Sequence, residues 1–273
     1  EFEAESFMPL GGGLPGRMRL AARGFAIERD SGADSARASV SADWRAPLLL
    51  PLGQEATVSA ELRADGFLIG NYTPRGDEEL GTEVRLHPSI AAEWRWPFAR
   101  FGETTTTFIE PVANLVIAPH GGKNDAIPNE DSVGLSLDES LLFARDRFAG
   151  VDQVENGTRA AYGVRIGYVG EFGEAEASIG QAYRFHADAT FAAGSGLESA
   201  RSDIVGGVRF SPAQYLSASY NYRFENRTFR ALEQRATLSG GAPEFRLNAS
   251  YDFVDGDSET IGFDEREQLE LSL

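Results

Sequence analysis

The sequence has no cysteine, which excludes disulfides within these residues, thiol catalysis and cysteine-based zinc sites. Lysine is almost absent too, so the cationic side chains are nearly all arginine. Guanidinium stays charged and presents a planar fork of donors that suits carboxylates and phosphates. Even that charge is outweighed: 42 Asp and Glu stand against 25 Lys and Arg, a formal net charge of -17. No nucleic-acid partner is expected, because a phosphate backbone calls for clustered cationic surface. Long hydrophobic runs are missing as well. The longest aliphatic stretch is "LLLPL", Leu48–Leu52, far short of the about 20 apolar residues of a membrane-crossing helix. The opening "EFEAESFMPL" has neither the basic region nor the apolar core of a secretory signal. An exported protein carries such a signal, so the chain is either cytosolic or missing its start.

The usual signatures of chemistry are also lacking. There is no G-x-S-x-G elbow and no phosphate-loop or dinucleotide motif. The histidines, His87, His120 and His186, lie far apart in sequence without metal-ligand spacing, which reads as structural or surface use. The acidic run "NDAIPNED" lacks EF-hand spacing. No catalytic residue, cofactor or metal is expected.

What the chain does have is alternation. Ala36, Ala38, Val40, Ala42 and Trp44 interleave with Arg37, Ser39, Ser41, Asp43 and Arg45. Ala56, Val58, Ala60, Leu62 and Ala64 interleave with Thr57, Ser59, Glu61, Arg63 and Asp65. The same pattern fills Ser217–Phe224 and Phe245–Phe253. Period two over such lengths predicts strands with one apolar and one polar face. Weaker versions at Met18–Arg23, Val84–Trp96, Thr104–Ala118, Ala160–Val169, Ala175–Phe185, Ile204–Phe210, Phe229–Leu238 and Leu269–Leu273 bring the expectation to roughly twelve strands. In Phe229–Leu238 the phase slips between odd and even positions, as one extra residue in a β-bulge would make it do. Ser140–Arg147 is the best candidate for a short helix. Links such as "GEFGEA" and "SPAQ" are turn-like, so consecutive strands form an antiparallel meander. The exception is a charged gap at about 119–157, too long for an idle connection.

Two architectures share this pattern. A soluble sandwich buries its apolar faces, whereas an outer-membrane barrel turns them to lipid and keeps the polar faces round a wet lumen. Long strands, their number, and aromatics near strand ends (Trp44, Trp94, Trp96, Tyr168, Tyr183, Phe185, Tyr222, Phe224) favour the barrel. Arg63, Arg165, Arg209 and Arg246 all fall in the polar phase, where they avoid lipid. The expected fold is all-β, an antiparallel up-and-down transmembrane β-barrel. Residues 1–273 read as a single outer-membrane β-barrel segment carrying a motif-bearing loop at about 119–157.

That loop and its flanks hold "IEP" (Ile109–Pro111), "IPNEDS" (Ile127–Ser132), "LF" (Leu142–Phe143), "DRFAGVD" (Asp146–Asp152), "ENGTRAAYG" (Glu155–Gly163) and "GQAYRF" (Gly180–Phe185). In this order and spacing they resemble the barrel domain of the LptD family of lipopolysaccharide-assembly outer-membrane proteins. The resemblance implies a bacterial outer-membrane translocon that inserts lipopolysaccharide into the outer leaflet. It implies an LptE-like plug lipoprotein, an LptA-like periplasmic bridge reached through a jelly-roll domain, and no catalysis. The chain departs from the family pattern in lacking that domain, its cysteines, roughly half the strands and a terminal aromatic, so it reads as a fragment of a larger barrel. The resemblance marks Pro128, Asn129, Asp131, Ser132, Phe143, Arg145, Arg147, Phe148, Gly150, Asp152, Glu155, Gly157, Arg159, Tyr162 and Gly163 as the motif loop, structural or lumen-facing. The loop is expected to fold back on the lumen, tied by Arg–carboxylate forks and anchored by Phe143 and Phe148. The alternatives are a generic porin-like channel, without such a loop, and an outer-membrane enzyme with a dispersed Ser–His pair.

Overall fold

A computed structural model of the chain describes residues 2–9, 15–30, 32–71, 81–121, 125–132, 135–186, 191–242, 245–255 and 266–273. The strands are β1 (Phe2–Pro9), β2 (Arg17–Ile27), β3 (Asp34–Leu50), β4 (Gln54–Gly70), β5 (Gly81–Arg95), β6 (Phe98–Phe101), β7 (Thr106–Ile117), β8 (Arg159–Gly170), β9 (Gly173–Arg184), β10 (Ile204–Ala213), β11 (Leu216–Phe224), β12 (Ala231–Gly240), β13 (Leu247–Val254) and β14 (Arg266–Ser272). They form one antiparallel sheet in which each strand pairs with the next in sequence, except that β5 pairs with β7 and the short β6 pairs with β7 off the main path. Among the described residues β1 and β14 do not pair with each other, so the sheet is an open up-and-down meander, a partial barrel.

The structure has fourteen strands where alternation alone predicts twelve. The two extra ones have local reasons. Pro97 has no N–H for the ladder, so β5 stops at Arg95 and the chain re-pairs with β7 as the short β6 (Phe98↔Ile109). In β1 only Ala and Ser alternate with Glu3 and Glu5, a weak period-two signal. Its register is set by β2, where Arg23 Nε donates to Glu3 over 2.9 Å and Arg19 pairs with Glu5. Cross-strand pairs of that kind cannot be read from one strand. The phase slip is real: Arg223 pairs with Glu233 and Phe224 with Ala231, leaving Leu232 as the extra residue. The helix expected at Ser140–Arg147 does not form, and no α-helix occurs among the described residues. Asp138 Oδ1 instead accepts from the Leu141 N–H and the Ser140 hydroxyl, at 2.9 and 2.6 Å, a side-chain-capped turn that competes with helix.

Burial is inverted relative to a soluble protein. On β3–β5 the apolar phase is bare, with Val40 56%, Leu62 50% and Leu86 63% exposed, while Ser59 and Asp65 of the polar phase are 0% and 2% exposed. So extensive an apolar face fits lipid, not water. Connections differ by end. At one end most are tight, such as 51–53, 171–172 and 214–215; at the other lie 71–80, 118–158, 185–203 and 255–265. Trp44, Trp94, Trp96 and Tyr168 ring the short-turn end, and Tyr183, Phe185, Tyr222 and Phe224 the long-loop end. Each Trp N–H finds a partner near a turn: Pro15 O for Trp44, Gln54 Oε1 for Trp94 and Leu52 O for Trp96. That is how amphipathic rings sit at an interface.

Candidate functional site: a loop seated on the polar face

The connection from Ala118 to Thr158 leaves the long-loop end and folds back over the polar face of the sheet. Its stretch Val151–Glu155 is wholly buried, although no residue of it is in a strand. Backbone so placed must find partners, and it finds them in two groups of side chains.

The first group stands on β3, β4 and β5. Asp152 Oδ2 accepts from the N–H groups of Glu130 and Asp131, at 2.7 and 3.2 Å. Asp131 returns the arrangement, accepting from Val151 and Asp152 at 2.9 and 3.1 Å. Two loop segments are thereby clipped together by their own carboxylates. Ser132 extends the clip, donating to Asp131 and accepting from Gln153, while Asn129 caps Ser132. Arg37 then forks onto both carboxylates, 2.6 Å from Asp131 and in contact with Asp152. Arg63 donates to Val151 O and Arg85 to Asp152 O, both at 2.7 Å. Asp65, buried between those two arginines, holds each in place at 2.9 and 2.7 Å. Arg145 reaches from the loop to Glu61, 3.0 Å away, and to Asp43. Burial raises the Asp152 carboxyl, and the Asp131 charge adds to it. Burial opposes ionisation of Asp131 as well, but the Val151 and Asp152 N–H groups together with Arg37 hold it below the ordinary range. A Cβ on Gly150 would sit 2.0 Å from Asp131 Oδ1, so the clip needs glycine there. Beside it Pro128 is buried and Ile127 packs on Phe67 and Ile69 of β4.

The second group is a buried ion cluster beside an apolar core. Arg147 Nη1 binds Glu155 Oε1 at 2.6 Å, and Arg159 Nε lies 3.2 Å from the same oxygen. Arg159 also donates to the carbonyls of Glu155 and Gly157. Asp146 accepts from the Phe148 and Glu155 N–H groups at 3.0 and 3.3 Å. Burial pushes its carboxyl up to about 6, with Glu155 adding to the rise. Leu137, Leu142, Ala161, Ala182, Phe191, Leu197 and Val205 make the core, with Phe143 and Phe148 packed against it. Phe148 stacks on Phe191 of the next long connection at 5.1 Å, and Asn114 holds the Phe143 carbonyl at 2.8 Å. A Cβ on Gly163 would meet Ile179 O at 2.6 Å and Phe143 at 3.3 Å. Gly157 N–H closes the loop base on Pro119 O at 2.7 Å.

The residues named from sequence lie in this loop and at its base. Tyr162 is the one turned off the polar face. It lies between Ala161 and Gly163, so strand parity turns it outward, half exposed, with its hydroxyl on Gln181. Sequence reasoning missed Arg37, Arg85, Asp43, Glu61 and Asp65 as loop partners, and the contribution of Phe191 and Leu197. The strand residues carried one usable signal, a charge in the polar phase; which loop atom each would meet depends on register.

Strands bare on their apolar face and filled by an ordered loop on their polar face define the wall of an outer-membrane type of β-barrel. The chain matches the family LptD, LPS transport system D, over residues 2–273, and it belongs to that family. A comparison with curated proteins gives no match. The family's work is lipopolysaccharide transport and assembly at the outer membrane.

Proposed function

We propose that this chain forms wall and filler of a translocon that inserts lipopolysaccharide into the outer leaflet of the outer membrane. In this reading the polar face lines the barrel interior, and residues 118–158 are a built-in filler seated against it. The observation that carries the reading is the wholly buried Val151–Glu155 stretch, fixed by arginines from three neighbouring strands. A general-diffusion channel gains nothing from so many buried ion pairs, each of which carries a desolvation cost. A passage that must stay closed to small solutes while handling a large amphiphile does.

An LptE-like plug lipoprotein fits beside the loop. A cleft of about 690 Å³ remains on the polar face, bordered by Ser136, Glu139, Arg209, Glu233 and Arg235. Its mixed charges suit a folded polar partner. An LptA-like periplasmic bridge would supply the lipid. Depletion of the protein in cells tests the main reading: surface lipopolysaccharide should fall while internal fractions accumulate it. Unchanged surface lipopolysaccharide would overturn the transport role and leave a porin-like wall. A photocrosslinker at Glu139 tests the plug, which should be captured there and not from Val40 on the opposite face.

A further inference from the structure

The fold brings together two histidines that the sequence keeps 66 positions apart, His120 and His186. Their rings meet edge to face with centroids 4.4 Å apart. Both side chains are exposed. They stand at the roots of the two long connections, just beyond β7 and β9. The strand ends beneath them are tied through β8, since Gly157 N–H donates to Pro119 O at 2.7 Å and Phe185 N–H to Thr158 O at 3.0 Å. The pair is therefore mounted on a three-stranded scaffold rather than on free loops.

We propose that His120 and His186 form a bidentate site for a divalent transition-metal ion of the zinc, nickel or copper type, completed by water. Imidazole is the side chain these ions favour. With metal–nitrogen bonds of about 2.0–2.1 Å, two imidazoles on adjacent coordination positions place their centroids about 4.5–5 Å apart; the observed 4.4 Å is close to that spacing, and rotation of the exposed rings would turn one nitrogen of each toward a shared ion. The bound ion would staple the root of the 118–158 connection to the root of the 185–203 connection. That would reinforce, at the loop bases, the Phe148–Phe191 contact that joins the same two connections deeper in. The third histidine, His87, is buried on β5 and takes no part.

Copper(II) and zinc(II) titrations of the full chain folded in detergent test this. One Cu²⁺ should bind per chain, with a paramagnetic-resonance spectrum carrying hyperfine coupling from two equivalent imidazole nitrogens. His120→Ala and His186→Ala should each weaken binding by about tenfold or more and reduce that coupling to one nitrogen. Zn²⁺ should slow proteolysis at the loop roots in the wild type and not in either variant, and a chelator should reverse that protection. Because both side chains are exposed, the variants should fold, which heat-modifiable electrophoretic mobility checks. Equal binding by wild type and the double variant, or a spectrum unchanged in it, would overturn the proposal. So would one-nitrogen coupling in the wild type.

Discussion

The two anchorages of the loop work by different physics. Over β3–β5 the grip is charge on charge and charge on backbone carbonyl, with little apolar surface beyond Ile127. Over β8–β10 it is mainly apolar burial round Leu137, Leu142, Phe191 and Leu197, with the Arg147–Glu155–Arg159 cluster beside it and Glu139 reaching Arg209 of β10. Apolar burial is tolerant of small shifts, because it scales with area and has no direction. A forked guanidinium is not tolerant, because it demands its acceptors in plane and within about 3 Å. The apolar anchorage thus supplies holding free energy, and the arginine clip fixes where the loop lies. If the loop is the filler proposed above, the difference suits a segment that has to sit in one position inside a wet interior, where water competes for every exposed polar contact.

The largest effect on the seated loop is expected at Arg147. Its side chain is 2% exposed and Glu155 beside it 0%, so Arg147→Gln leaves a buried carboxylate with Arg159 as its remaining ion-pair partner among the described residues. Removing one partner of such a pair costs about 3–5 kcal/mol. Hydrogen exchange at Val151–Glu155 should rise by orders of magnitude while the strands stay protected. Leu142→Ala strikes the apolar anchorage and should cost about 2–4 kcal/mol, by lost burial and the cavity left. It should free Phe143 and Phe148 before it frees Asp131. Arg37→Gln strikes the clip alone and should cost less, about 1–3 kcal/mol. Its signature should be opposite, with Glu130–Asp152 exchanging while Leu142 and Phe148 stay protected. Identical exchange patterns for these last two variants would dissolve the distinction between the anchorages.

How much of this was legible follows from the physics of each part. Alternation located twelve strands and put Arg63 on the polar face, because period two is a property of a single segment. It could not show β6, which exists only because Pro97 interrupts a pairing, nor β1, whose Glu3 and Glu5 make sense only beside Arg19 and Arg23. The loop was legible as a motif, and its residues do gather at one place. The motif names Tyr162 as structural or lumen-facing, and its own parity in β8 turns it outward. The clip's other half was hidden. Arg37, Arg63 and Arg85 stand 26 and 22 positions apart in sequence, and only the strand register makes them neighbours beneath Val151 and Asp152. Likewise His120 and His186 meet only because two connections leave the same end of adjacent hairpins.

Proton linkage gives a gentler probe of the second anchorage. Asp146 accepts two backbone N–H groups in the loop, and its carboxyl is raised from 3.8 to about 6. A raised carboxyl binds its proton more tightly in the seated loop than in the released one. Its contribution is therefore fully present below about pH 3.8 and is lost as pH rises through about 6. The free energy of loop opening should fall across that window, by a few kcal/mol at most, and Asp146→Asn should flatten the fall while keeping an oxygen for the Phe148 and Glu155 N–H groups. A wild-type slope that survives in Asp146→Asn would place the titration elsewhere, at Asp152, which is raised as well.

The smallest effect is expected at Arg29. It makes a two-pronged pair with Glu130, at 2.8 and 2.6 Å, and on geometry alone rivals Arg37. Yet the Glu130 pair lies nearer solvent, where screening and side-chain entropy consume most of the gain. The backbone N–H of Glu130 is held by Asp152 whether or not Arg29 is present. Arg29→Gln should consequently leave exchange at Val151–Glu155 unchanged, and raising the salt concentration should abolish any small difference at Glu130 itself. An effect of Arg29→Gln as large as that of Arg37→Gln would mean that the loop is positioned from its outer rim and not by the arginines beneath it.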